Sequence, residues 1–84
     1  LVHDASAGAP LPDEELERRR RGERVREALE ELKPSDREAL LLRYESGLSF
    51  AEIALLQSVD EAAARKRTSR ALARLRTLLS EVDR

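Results

Sequence analysis

Residues 49–70 read SFAEIALLQSVDEAAARKRTSR. Ser49 and Glu52 stand at the Ser-x-x-Glu spacing, in which a hydroxyl and a carboxylate satisfy each other's free backbone N–H groups at a helix start. Phe50, Ile53 and Ala54 then share one inward face. Asp60 can cap a second helix, which opens on Ala62, Ala63 and Ala64 and turns strongly basic. The connection between them, LLQSVD at 55–60, holds no glycine to take up a left-handed conformation. The stretch therefore poses a question: two helices joined by a tight turn to read DNA, or a hairpin that only has that outline.

The sequence on either side supplies the partners. At 33–38, KPSDRE is a stop and then a start. Pro34 disfavours helical geometry at Lys33, and Ser35 with Glu38 repeats the capping-box spacing. The dense apolar run Ala39 to Leu42, then Tyr44, follows, and Gly47 ends that helix. Upstream, Val25, Ala28, Leu29 and Leu32 fall at i, i+3, i+4 and i+7, one buried stripe. Asp13 can cap this first helix; Leu16 stands apart and Gly22 weakens the middle, so 23–32 is its secure part. In the last helix Leu72, Leu75, Leu79 and Val82 keep a 3/4 spacing that narrows upward through Ala71, Thr68 and Ala64. Helices near 13–32, 35–46, 49–56 and 60–82 follow, joined by connections of a few residues. The expected fold is all-α, a compact bundle of about four helices ending in a helix-turn-helix. Residues 1–12, LVHDASAGAPLP, read as a flexible linker and 13–84 as the folded domain. With Leu1 in place of Met, the chain is expected to be a piece of something longer.

Composition bounds the function. The chain has 84 residues and no Cys, which removes disulfides and thiolate metal sites. His3 is the one histidine, in a terminal small-residue stretch, and reads as solvated. No apolar run approaches the roughly 20 residues of a membrane span, and no signal peptide is visible. No catalytic set, phosphate-cradling loop, metal site or cofactor motif is present, so neither an enzyme nor a small-molecule site is expected. A cytoplasmic location follows. The formal net charge of −1 speaks against nucleic acid until the charges are placed. Residues 13–31 hold eight acids against six arginines, and RRRR at 18–21 reads as a solvated face matched by nearby Glu. Residues 62–80 hold Arg65, Lys66, Arg67, Arg70, Arg74 and Arg76 with no acid. Arg65, Lys66, Ser69 and Arg70 fall on one side of that helix, opposite Ala64, Thr68, Ala71, Leu72 and Leu75. A basic, polar outer face suits a major groove. Positive charge near a helix N-terminus opposes the helix dipole, a local cost that DNA contact would explain.

REALLLRYESGLSFAEIA at 37–54, followed by RKRTSRALARLRTLL at 65–79, resembles region 4 of bacterial sigma factors, and most of all the small extracytoplasmic-function type. The resemblance runs over about residues 23–80. It implies a domain that binds the minus-35 promoter element while docked on RNA polymerase. Carried over by position, Arg65, Lys66, Ser69 and Arg70 would face bases or phosphates, with Ala62 and Ala63 against the DNA. Arg43, Ser49 and Phe50 would touch backbone phosphates. The surface near Val25, Leu29, Leu41 and Tyr44 would receive the flap-tip helix of the polymerase β subunit, and an anti-sigma factor could occlude it. The departures lie in the turn. Family turns usually read Leu-Gly-Val/Ile-Ser, so Gln57 replaces a core Leu, and Ser58 replaces the Gly of the left-handed position, at roughly 1 kcal/mol. Leu55 and Leu56 add apolar surface, while Ala64 and Thr68 replace larger aliphatics, which predicts looser packing of the last helix. Two other readings stay open: a protein-interaction module using Leu55, Leu56 and the first helices, and a response-regulator type output domain, which shares part of the motif.

Overall fold

The computed structural model describes residues 12–82, with Val82 placed by its backbone alone. The linker expected at 1–12 and His3 therefore lie outside the described residues, apart from Pro12. Among the described residues there are helices and no strands: α1 (Asp13–Glu30), α2 (Pro34–Tyr44), α3 (Phe50–Gln57) and α4 (Glu61–Val82). The all-α expectation holds. α4 is the spine. It packs against α1, α2 and α3, whereas α1 does not touch α3.

The helix ends follow from local chemistry, and two expected caps are not made. Asp13 is the first helical residue rather than the cap; Pro12 holds the cap position without a side-chain bond. The acids Asp13, Glu14 and Glu15 still sit in the first turn, where the dipole favours them. Nor do Ser35 and Glu38 form a capping box. The helix starts one residue earlier, with Pro34 in its first turn and Lys33 extended at ψ 144°, because proline's fixed φ and missing N–H suit that position. Glu38 is engaged elsewhere, as described below. α1 runs unbroken through Gly22 and stops at Glu30, two residues short of expectation. Glu31 and Leu32 close it with tighter i→i−3 bonds to the Ala28 and Leu29 carbonyls. Those last carbonyls have no basic side chain of their own helix. Arg37 of α2 supplies one, its Nε donating to the Leu29 carbonyl at 2.9 Å and its Nη2 to that of Leu32 at 3.3 Å.

Two apolar clusters hold the bundle. In one, Ala28 and Leu32 meet Leu40 of α2 and Ala71 and Leu78 of α4. Leu78 is a correction to the sequence reading. It is the buried residue of the last turns, while Leu72, Leu75 and Leu79 are half-buried flanks, so the stripe runs 64, 68, 71, 75, 78. In the other cluster, Ala39, Ile53, Ala54 and Ala64 are buried together, with Leu42, Leu48, Phe50 and Val59 against them. Ala64 and Thr68 were expected to leave the last helix loosely packed. They do not: both are sealed, at 0% and 2% exposure, and the Thr68 hydroxyl donates to the Ala64 carbonyl at 2.8 Å. Small residues here are covered, and no buried side-chain polar atom among the described residues lacks a partner.

Candidate nucleic-acid interface

The interface is built on α3, its turn and the first half of α4. α3 begins with the expected reciprocal cap: Glu52 N–H donates to Ser49 Oγ at 3.1 Å, and Ser49 N–H donates to Glu52 Oε1 at 2.8 Å. The Ser49 backbone N–H, and after it the Ser49 hydroxyl, hold the Glu52 carboxyl below its ordinary pKa. α3 ends at Ser58, which adopts the left-handed conformation at φ 56°, ψ 43°. The Val59 N–H then donates to the Ala54 carbonyl at 3.0 Å, closing the turn as a glycine would. Asp60 caps α4 as expected, Oδ1 accepting from the Ala63 N–H at 2.7 Å.

Gln57 answers the loss of its apolar counterpart. Its Nε2 donates to the Ser35 carbonyl at 3.0 Å and to Glu38 Oε1 at 2.8 Å, while its Oε1 accepts from Arg67 Nη1 at 2.7 Å. One amide thus ties α2, α3 and α4 together, a role that the sequence reading missed. The Ser-x-x-Glu spacing at Ser35 was a signal of the wrong contact. The three partners lie 10, 19 and 22 residues from Gln57, beyond any local pattern.

On α4, Ala62, Arg65, Lys66, Ser69 and Arg70 recur at i, i+3, i+4, i+7 and i+8 and are all exposed, while Ala63 is half-buried. The structure thus brings these predicted residues to one face. The cations differ in freedom. Arg65 Nη2 pairs with Glu61 Oε2 at 2.9 Å. Arg70 Nη2 lies 3.7 Å from Oδ1 of the largely buried Asp36. Arg67 is bound to Gln57, and Lys66 has no partner among the described residues. Beside this face, Arg43 donates from Nη1 to the Leu48 carbonyl at 2.9 Å, and its guanidinium lies 4.2 Å from the centre of the Phe50 ring. The Arg65 guanidinium lies 4.7 Å from the same ring.

A helix cap, a left-handed turn and a basic outward helix, in that order, are joined by a family-level finding. A family model described as sigma-70, region 4, matches residues 22–75. The chain belongs to the sigma-70 region 4 family. The match replaces the response-regulator reading and places the domain among non-enzymatic transcription-factor modules. This region 4 chain is also 42% identical over 57 residues to the RNA polymerase sigma factor CarQ of Myxococcus xanthus. That similarity covers 68% of the chain and 33% of the relative, so the chain spans about a third of that protein's length. No solved structure matches the chain.

The remaining predicted residues of the region 4 domain fall on two separate surfaces. Val25, Leu29, Leu41 and Tyr44 line an open apolar groove between α1, α2 and α4, together with Leu72 and Leu75. Leu55 and Leu56 lie elsewhere, on the outer side of α3, exposed at 82% and 63%. Among the described residues no helix is long and apolar enough to cross a membrane, and no group of three or more His, Cys, Asp or Glu residues is arranged to hold a metal.

Proposed function

We propose that residues 13–84 form the promoter-reading module of an extracytoplasmic-function sigma factor. It lays α4 in the major groove of the minus-35 element while the rest of the domain rests on RNA polymerase. The observation that carries this is the exposed face of Ala62, Arg65, Lys66, Ser69 and Arg70 on a helix whose other side is sealed into the core. The major groove admits an α-helix, and Arg or Lys there reaches the O6 and N7 atoms of guanine. Ala62 would let the first turn approach closely, while Ser49 at the cap of α3 and Arg43 in the last turn of α2 would meet backbone phosphates. The apolar groove lined by Val25, Leu29, Leu41 and Tyr44 suits a short apolar helix, the form that the polymerase β flap tip would present. An anti-sigma factor would compete for it.

The test is promoter use by the intact factor in its polymerase complex. Arg65→Ala and Arg70→Ala are expected to relax discrimination at individual base pairs of the upstream element, each by about 1–3 kcal/mol where the contact is to a base. Promoter affinity and preference both unchanged in the two variants would remove the reading. Leu55 and Leu56 support a second, protein-facing role, because two large apolar side chains stand exposed side by side. If Leu55→Glu together with Leu56→Glu leaves every protein partner bound, that role is absent.

A further inference from the structure

The start of α4 carries an arginine that is already positioned. Arg65 lies over the Phe50 ring at 4.7 Å and pairs with Glu61 at 2.9 Å, yet its side chain remains 56% exposed. The ring is fixed in turn. Phe50 is the first residue of α3, half-buried against Ala39, Ile53, Ala54 and Ala64. Arg43 stacks on it while held by the Leu48 carbonyl just before α3. A chain of contacts therefore runs from the Leu48 carbonyl through Arg43, Phe50 and Arg65 to Glu61, joining the entry of α3 to the entry of α4.

We infer that Phe50 acts as a positioning residue, whose ring face presets the Arg65 guanidinium for one contact in the upstream promoter element. This rests on the reading of α4 as the DNA-facing helix. A guanidinium is planar and stacks on aromatic faces, and its donors leave from the edge. Stacking on Phe50 uses the face and leaves the outer edge available to a base or phosphate. An unrestrained exposed arginine would lose its rotamer freedom on binding; here the ring and Glu61 restrict it beforehand, and preorganisation favours binding. Glu61 also balances the charge that two arginines bring to one ring. Lys66, one residue further on, has no such support and serves as the comparison.

The test is a double-mutant cycle in the intact factor with its polymerase, reading affinity for the promoter and for variants of each base pair of its upstream element. Phe50→Leu is expected to weaken binding about two- to five-fold, the size of an exposed cation–π contact. The loss should follow that of Arg65→Ala, concentrated at one position where the arginine meets a base and uniform across positions where it meets a phosphate. In an Arg65→Ala background, Phe50→Leu should then have no further effect, and Phe50→Tyr, which keeps the ring face, should restore the coupling. Melting of each variant is measured alongside. If Phe50→Leu weakens binding equally with and without Arg65, the ring acts by packing or by its own DNA contact, and the inference is overturned. If neither Phe50→Leu nor Arg65→Ala changes binding, the inference also fails. Lys66→Ala and Arg70→Ala then show whether the DNA-facing reading survives it.

Discussion

Ser58 occupies the left-handed region at φ 56° that residues other than Gly, Asn and Asp seldom visit. The surrounding bonds hold it there: Val59 N–H to the Ala54 carbonyl on one side, and the Asp60 cap of α4 on the other. Ser58→Gly should therefore relieve strain without altering the turn, raising stability by about 0.5–1 kcal/mol. Thermal melting checks this, and a lowered Tm would show that the serine is not strained. Glu52 gives a pH prediction at the same scale. Its pKa is held below the ordinary value by the Ser49 N–H first and the Ser49 hydroxyl second. A depressed folded-state pKa contributes stability that is present above the unfolded value of about 4.3 and lost as the pH falls through the lowered folded value. Denaturation followed from pH 6 to 3 should fall more steeply for the natural chain than for Glu52→Gln, which keeps a hydrogen-bonding group but does not titrate there. Identical acid limbs would contradict it.

At the scale of elements, the junction of α2, α3 and α4 is tied by the Gln57 amide as well as by the buried Ile53. Gln57→Ala would remove the bonds to Ser35, Glu38 and Arg67 together, and should cost about 1–2 kcal/mol, with the share due to the Arg67 bond absent when Arg67 is already Ala. Chemical denaturation of the parent chain, the two single variants and the double variant measures it, and a simple sum of the two losses would mean that Arg67 and Gln57 are not coupled. This junction also marks where the sequence was legible. The Ser49–Glu52 cap, the Asp60 cap and the Gly47 stop are local patterns and formed as their spacing required, and the first stripe formed in part, with Ala28 and Leu32 buried and Val25 and Leu29 half-buried. Most of what failed was set by tertiary partners. Glu38 was claimed by Gln57, and the small size of Ala64 and Thr68 read as slack because the sequence does not show how close their partners come. Pro34 starting α2 ahead of Ser35 was a local preference that outweighed the capping box. Leu78 was passed over because Leu72, Leu75 and Leu79 form an equally regular series, and only the position of α1 chooses between them. The exposed basic face of α4 was legible, but the ordering of its cations by Glu61, Asp36, Gln57 and Phe50 was not, since most of those partners come from other elements.

For the whole molecule, the near-zero net charge hides a division of labour. The acids and arginines of α1 pair along their own exposed helix, as Arg18 does with Glu15 at 2.8 Å, while the basic face of α4 has few acids to answer it. The apolar groove between α1, α2 and α4 is a separate surface. Tyr44 is 64% exposed and Leu41 36%, so Leu41→Glu with Tyr44→Ser should leave melting nearly unchanged yet weaken association of the factor with polymerase. Pull-down and melting read the two halves of that statement, and full polymerase binding by the variant would contradict the docking role. The claim on which the account rests is that the outer face of α4 meets DNA, and Lys66 tests it most directly because no fold contact depends on it. The measurement is the salt dependence of promoter binding by the intact factor in its polymerase complex, with and without Lys66→Ala. A DNA-facing α4 predicts weaker binding by Lys66→Ala across promoter sequences and a log–log slope shallower by about 0.9, one phosphate contact. The same affinity and the same slope in both proteins would contradict it.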